Sequence, residues 1–456
     1  MKKPKTRREI SVESLIRLAR EGVARVSPMS RMERSIEELK RKVGQEEMDK
    51  QLAALEPQDD GPKACPRCGK KTRVRTRFVS RTFRSLSGTH TVRRHYHYCE
   101  TCSAGFYPLD EFLGLPKEGA LSEDLEMRIA DFAVNDPYEV AEQRWNFHYP
   151  LRASANQFRQ VAKRLGQMVE QSNPIVLQGA SLLPKTTPSA TLYAMNDGGM
   201  VPMREGKWNE VKVGVFFREE DYLSHRVARR GQVTRARYVA VLGGQEEFTK
   251  DMRAAVQVEN GVKAKRVAWL GDGAPGNWNL ASTLCPSAIQ ILDWYHAVEK
   301  GMTCARALLG EASPLLPSWK ERLEQLLWAG DGEALVGELM QCLDVDISES
   351  ALKALNDLIR YYRNNGPRMR YADFLASGLL IGSGVVESAH RHVIQARMKR
   401  AGQHWGTHGG RQMARLRATY RTTGPNNFYA AVRWAHRESL GLRLPAIPRR
   451  PRASNR

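Results

Sequence analysis

Leu192-Tyr193-Ala194-Met195-Asn196-Asp197-Gly198-Gly199 is the stretch on which the reading of the fold turns. An apolar run that delivers a carboxylate and then two glycines reads as a strand ending where an open sheet builds a site. Working outward, Val211, Val213 and Val215 alternate in a second strand, and Tyr238 to Leu242 make a third. A helix through Phe248, Met252 and Val256 leads to a fourth strand, Val267 to Leu270, which ends at Gly271-Asp272-Gly273. A fifth, Ile289 to Leu292, ends at Asp293-Trp294-Tyr295-His296.

About residues 297–373 break this pattern with helices marked by Leu323, Leu326 and Leu327, by Leu335, Leu339 and Leu343, and by Leu352, Leu355 and Ile359. The chain returns with Ile381-Gly382-Ser383-Gly384-Val385-Val386-Glu387-Ser388, whose glycines let it turn into a helix through His390, Ile394 and Arg397. Three sequential strands, a helix and short buried strands follow the order of an RNase-H-like α/β fold. In that fold the first acid lies on strand one and the second at the end of strand four. Asp-Gly is also a common turn pair, and Asp293 can simply cap the helix beginning at Trp294. Glu387 falls one position beyond the capping-box site if Ser383 is the N-cap, so capping does not account for it. Asp197, Asp272 and Glu387 meeting at one point could hold two Mg²⁺ or Mn²⁺ ions about 3.5–4 Å apart. The chemistry expected of such a centre is activation of a water or 3′-hydroxyl and stabilisation of the leaving oxygen at a scissile phosphate.

The 456 residues are too many for one ordinary core, and their net charge of +21 is unevenly spread. Residues 61–110 hold eleven Lys/Arg against two acids and residues 391–456 fifteen against one, which leaves the rest near neutral. Two separate basic concentrations point to nucleic acid as partner rather than to a solubilising surface, and double-stranded DNA is the expected form. The longest weakly polar run, Leu375 to Val386, is too short to span a bilayer, and no signal peptide opens the chain. A cytoplasmic, nucleoid-associated protein is expected, with neither a membrane nor a small-molecule substrate as partner.

Four of the seven cysteines form two pairs, Cys65-Pro66-Arg67-Cys68 and Cys99-Glu100-Thr101-Cys102. Two such pairs at the ends of β-rich stretches, Arg73 to Phe83 and Thr91 to Tyr98, fit a zinc ribbon holding structural Zn²⁺. Cys285, Cys304 and Cys342 read as ordinary buried thiols. Residues 122–170 then carry three helix signatures, including the boxes Asp136-Pro137-Tyr138-Glu139 and Ser154-Ala155-Asn156-Gln157. They suit a helix-turn-helix-like unit whose third helix offers Arg159, Lys163 and Arg164 to DNA, although any small helical bundle shows the same pattern. After Glu387, the basic residues Arg391, Arg397, Lys399, Arg400 and Arg411 with Trp405 could grip a DNA backbone and stack on an unpaired base.

The ordered set of motifs resembles the DDE transposases of bacterial insertion sequences, of the ISKra type. The resemblance rests on Asp197-Gly198-Gly199-Met200-Val201-Pro202, on Trp208-Asn209-Glu210-Val211-Lys212-Val213-Gly214 and on Gly271-Asp272-Gly273-Ala274. Leu292-Asp293-Trp294-Tyr295-His296 and Gly382 to Ser388 complete it. It implies an RNase-H-like catalytic domain interrupted by an α-helical insertion, with Asp197, Asp272 and Glu387 as the acidic triad and Mg²⁺-dependent cleavage and strand transfer at element ends. It implies supporting roles for Asp293 and His296, with Asp293 a rival to Asp272 as second acid, and a homo-oligomer on DNA. The expected organisation is an N-terminal helical region (1–60), a zinc ribbon (61–115), a helical DNA-binding unit (120–172), a first core segment (188–296), the insertion (297–373), a last core segment (374–425) and a basic tail (426–456). A DNA-binding regulator without turnover and a structure-specific nuclease are the competing expectations.

Overall fold

The computed structural model describes residues 27–56, 61–116, 119–180, 191–225, 230–261, 264–341 and 347–441. The chain divides into two units, one formed by Met1–Arg128 with Gln143–Ala153 and the other by Ile129–Glu142 with Ser154–Leu444.

In the first unit, helix α1 (Pro28–Ala54) starts where the Ser27 hydroxyl accepts the Ser30 N–H at 3.1 Å, with proline at its first position. The helical pieces expected in residues 1–60 thus include one long helix, while Leu15, Ile16 and Leu18 lie outside the described residues. Strands β1 (Val74–Arg84) and β2 (Thr89–Cys99) form an antiparallel hairpin, and β3 (Ala104–Phe106) adds to β2. Strand β2 turns His90, Val92 and Arg94 inward, and Val92 packs with Phe83, Leu109, Leu115 and Leu52 of α1. The helix is fastened through the Gln45 amide on the Thr89 carbonyl (3.2 Å), Asp49 on His90 (2.6 Å) and Glu56 on Arg93 (2.8 Å).

The second unit is a mixed α/β body. Helix α2 (Glu123–Asn135) enters it from Ile129, α3 (Tyr138–His148) belongs to it as far as Glu142, and α4 (Ala155–Gln171) follows. Helix α4 opens with the expected capping box: the Ser154 hydroxyl accepts the Gln157 N–H (3.4 Å), and the Gln157 side chain accepts the Ser154 N–H (3.1 Å). Next come β4 (Thr191–Pro202), β5 (Trp208–Arg218), β6 (Arg237–Val241), α5 (Gln245–Val258), β7 (Arg266–Gly271), α6 (Pro275–Leu284) and β8 (Ile289–Leu292). They form one five-stranded sheet in the order β6-β5-β4-β7-β8. The β6-β5 and β5-β4 pairs are antiparallel, and the β4-β7 and β7-β8 pairs are parallel. Helices α7 (Trp294–Leu309), α8 (Leu316–Ala329), α9 (Gly332–Gln341) and α10 (Glu349–Asn365) follow. Leu323, Leu327, Leu335, Leu355 and Ile359 join the sheet residues Trp269, Phe216 and Leu292 in one buried cluster, so this helical segment shares the sheet's core. Leu343 and Cys342 lie outside the described residues. The chain closes with α11 (Gly384–Ala389), a π-helical turn at His390–Gln395, α12 (Thr407–Thr423) and α13 (Pro425–Ser439).

Three expectations change. Residues 120–172 do not stand as one module. Ile129–Glu142 and Ser154 onward belong to the α/β body, because α4 buries Phe158, Val161, Ala162, Leu165 and Val169 and packs on α12 and α13. The segment 426–456 is not simply a tail, since Phe428, Tyr429, Val432 and Ala435 give α13 a buried face. Strand β4 also runs through Asp197 to Pro202, because the antiparallel ladder with β5 continues past the glycines.

Candidate active site and metal centre

The register of three neighbouring strands brings their acids to one end of the sheet. Met195 of β4 lies beside Leu270 of β7, and Gly271 beside Leu292 of β8. Asp197 and Asp272 each lie two residues beyond the first pair, and Asp272 and Asp293 each follow the second directly, so the three carboxylates stand in a row. Asp272 is held from both sides. Its Oδ1 accepts the Ala274 N–H (3.0 Å) and the Asn277 amide (2.7 Å), and its carbonyl accepts the Tyr361 hydroxyl (2.7 Å). Asn277 is positioned in turn by Asn196, whose side-chain oxygen accepts the Trp269 indole N–H at 2.9 Å. The chain of bonds Trp269–Asn196–Asn277–Asp272 fixes one carboxylate oxygen and leaves Oδ2 without a hydrogen bond among the described residues.

Asp293 is fully buried and caps α7 through the Tyr295 N–H at 2.7 Å. Its other oxygen accepts the Ser383 hydroxyl and faces His296 Nδ1 at 3.0 Å. The Trp294 N–H donates to the Ile381 carbonyl at 2.9 Å. These two ties pull the glycine-rich turn against the end of β8 and bring α11 with it. Ser383 is the N-cap by position, but its hydroxyl serves Asp293 and makes no cap hydrogen bond. Glu387, in the first turn of α11, is exposed and takes no hydrogen bond or ion pair among the described residues. Ligand atoms of Asp293, His296 and Glu387 lie within 4.8 Å of one another. His390, in the wide turn after α11, sets its Nε2 3.5 Å from Asp197 Oδ2. Gly199 is what admits that ring: a Cβ there would stand 2.8 Å from it.

The charges are coupled. Burial raises the Asp197 carboxyl above its ordinary value; His390 and the Gly198 N–H oppose this, and the charge of Asp272 adds to it. Burial also works against ionisation of Asp293, but His296, Ser383 and the Tyr295 N–H outweigh it and hold that carboxyl low. The hydrogen bond to Asp293 lifts His296 to about 9 against the pull of burial, with Asp272 and Glu387 contributing by their charge. His296 is therefore a cation at neutral pH in a site of four carboxylates. The donors suit a hard divalent cation: Asp272 Oδ2 and the Glu387 carboxylate have no hydrogen bond among the described residues. Asp197 Oδ1 accepts the Gly198 N–H at 2.7 Å with its Oδ2 facing His390, and both oxygens of Asp293 are engaged. Sequence reasoning missed Ser383, Tyr361 and His390 as positioning residues because each acts on a partner distant in the chain. It missed Asn277 because that residue, although only five positions from Asp272, is itself placed by Asn196, 81 residues earlier.

The cysteine pairs of the first unit form a second centre. Cys65 and Cys102 sulfurs are 3.9 Å apart and those of Cys68 and Cys99 3.6 Å, which brackets the ~3.8 Å edge of a tetrahedron with metal–sulfur bonds of about 2.3 Å. The residue after each pair, Gly69 (φ 74°) and Ser103 (φ 48°), turns through the left-handed region, so the two knuckles share one geometry. Burial raises the Cys65 thiol, but the N–H groups of Cys68 and Arg67 and the neighbouring thiols prevail and bring it down to about 7. The four cysteines can hold a structural metal ion such as zinc.

Residues 27–438 match the profile of an uncharacterised protein family, UPF0236. The chain belongs to that family. No curated protein matches it. The basic residues divide by burial. Arg159, Lys163, Arg391, Lys399 and Arg400 are exposed and Arg164 is half-buried. Arg159, Lys163 and Arg400 border an open cavity of about 600 Å³ with Arg204, His404 and His408. Arg397 and Trp405, expected to grip DNA, are instead buried, and the Arg397 guanidinium lies 5.1 Å from the rings of both Tyr138 and Trp405. The Trp405 indole donates to the Met398 carbonyl at 3.0 Å, so its face is part of the body and not a base-stacking platform. Arg411 is committed to Glu247, 2.8 Å from each carboxylate oxygen. Arg417 is buried as well and bonds the Val393 carbonyl (2.9 Å), the Val134 carbonyl (3.3 Å), the Asn135 side chain (2.6 Å) and the His392 carbonyl, fastening the wide turn behind Glu387. Among the described residues no helix is long and apolar enough to cross a membrane.

Proposed function

We propose that this protein is a DNA transposase of the DDE type, similar to those of ISKra insertion sequences, with its nuclease centre on an RNase-H-like sheet. The strand order with three antiparallel members followed by two parallel ones supports the fold assignment. The observation that carries the functional reading is the gathering of Asp197, Asp272 and Asp293 at adjoining strand ends, with Glu387 within 4.8 Å of Asp293 and His296. Among the described residues Asp197, Asp272 and Glu387 do not themselves close to that distance. The charge of Asp272 acts on Asp197, and Asp272 and Glu387 both act on His296. Asp197, Asp272 and Glu387 would hold Mg²⁺ or Mn²⁺, and the bound metal supplies nucleophile activation and charge stabilisation at the scissile phosphate. The chain's own residues prepare that site. Asn277 and Tyr361 orient Asp272, the Asp293–Ser383 tie presents Glu387, and the His296 cation can face a non-bridging phosphate oxygen. Asp293 is read as a positioning residue and not as a ligand, although it lies closer to Glu387 and His296 than a purely remote cap would.

Purified protein incubated with Mg²⁺ and DNA carrying the terminal repeats of its element tests the reading. Cleavage at the ends and joining to a target are expected, and Asp197→Asn or Glu387→Gln should abolish both while end binding persists. Binding by the wild-type protein without any cleavage would replace this reading with that of a DNA-binding regulator.

A further inference from the structure

We infer that α1 is a self-association element that pairs with α1 of a second copy of this chain. Met29, Met32, Ile36, Leu39 and Val43 follow the alternating three- and four-residue spacing of coiled-coil seam positions. They are 60%, 56%, 52%, 60% and 55% exposed, so the stripe is not spent on the fold. Gln45, Met48, Asp49 and Leu52, which dock the helix on β2 and its core, lie on the opposite side at 100° per residue. Isolated apolar residues on a surface are ordinary, but five in one stripe are not.

The seam is complementary to itself. In an antiparallel pairing centred between Ile36 and Leu39, Ile36 meets the second copy's Leu39, and Val43 meets its Met32. The two-fold axis repeats both layers, giving four apolar layers in succession. The same register sets Glu33 opposite the second copy's Lys40, twice, on one flank of the seam. Both side chains are exposed, and the existing Lys40–Glu37 ion pair (2.7 Å) lies on the helix surface, where it is readily exchanged. Because the hydrogen bonds to the sheet already hold the helix, association does not have to order it. The inference uses no property of the nuclease centre and stands apart from the proposed function.

Sedimentation of the full-length chain across a dilution series, without DNA, tests it. The wild-type protein is expected to show twice the single-chain mass at micromolar concentration and to dissociate on dilution. Leu39→Lys should give the single-chain mass with an unchanged circular dichroism spectrum and melting temperature. Glu33→Lys or Lys40→Glu alone should weaken the dimer about tenfold, and the double exchange should restore it. A wild-type protein that stays single at every concentration would overturn the inference. So would a Leu39→Lys protein that keeps the double mass, or a double exchange that fails to recover.

Discussion

Replacing Cys99 by serine removes one sulfur ligand from the four-cysteine centre while changing side-chain volume little. Cys99 is 3% exposed, and its sulfur lies 3.6 Å from that of Cys68, so the serine would set a weakly binding hydroxyl in place of a thiolate inside the four-sulfur cluster. The surrounding core is small: one buried cluster of five side chains around Val92, and a second of Cys65, Cys99 and Phe106. Cores of this size rarely supply more than about 3–5 kcal/mol. Structural zinc contributes about 10–16 kcal/mol in small zinc-dependent domains, so loss of the metal exceeds anything the apolar contacts can make up. Wild-type protein should therefore carry one zinc per chain by elemental analysis, and Cys99→Ser none. In hydrogen-exchange mass spectrometry, Val74–Cys99 should lose its protection in the variant, while β4 and β7 keep theirs. Protection of Val74–Cys99 preserved to within about 1 kcal/mol in Cys99→Ser would refute this reasoning, as would a zinc-free wild-type protein purified from zinc-containing medium.

Asn277→Ala should slow DNA cleavage about 10–100-fold through loss of the bond that orients Asp272, with the melting temperature little changed. Trp405→Ala should lower the melting temperature by roughly 10 °C, as removal of a buried aromatic costs about 3–5 kcal/mol, and DNA affinity measured below the transition should hardly move. In metal-free protein, NMR titration of His296 should show a midpoint near 9 instead of the ordinary 6.5. Because the folded value is the higher one, the stability that the imidazolium contributes is complete below about 6.5 and is lost as pH rises through about 9. A midpoint near 6.5 would show that the Asp293–His296 pair does not form.

Much of the sheet was legible because its signal is local. The alternation of Val211, Val213 and Val215 and the apolar runs before Asp272 and Asp293 depend only on neighbours in the chain. The capping box at Ser154 was legible for the same reason, since both of its bonds lie within four residues. What lay hidden was long-range. The packing of α4 on α12 joins residues about 250 apart, so a helix that looks like a free DNA reader is in fact half core. Arg397 and Trp405 looked like a nucleic-acid grip because sequence shows charge and aromaticity but not burial. Strand β4 was cut short at Asp197-Gly198-Gly199 because glycine pairs usually signal turns, whereas here Gly199 makes room for the His390 ring. Ser383 holds the N-cap position, yet its hydroxyl bonds Asp293, 90 residues earlier, which no local pattern shows.

The claim on which the functional reading depends is that Asp197, Asp272 and Glu387 share a divalent metal. Crystals grown with Mn²⁺ and measured at the manganese absorption edge locate the ion directly. The expected result is an anomalous peak bonded to Asp197 and Asp272 at the strand ends and to Glu387 on α11, with Asp293 still bound to Ser383 and His296. A peak held by Asp293, His296 and Glu387 alone, with Asp197 and Asp272 left in solvent, would contradict it.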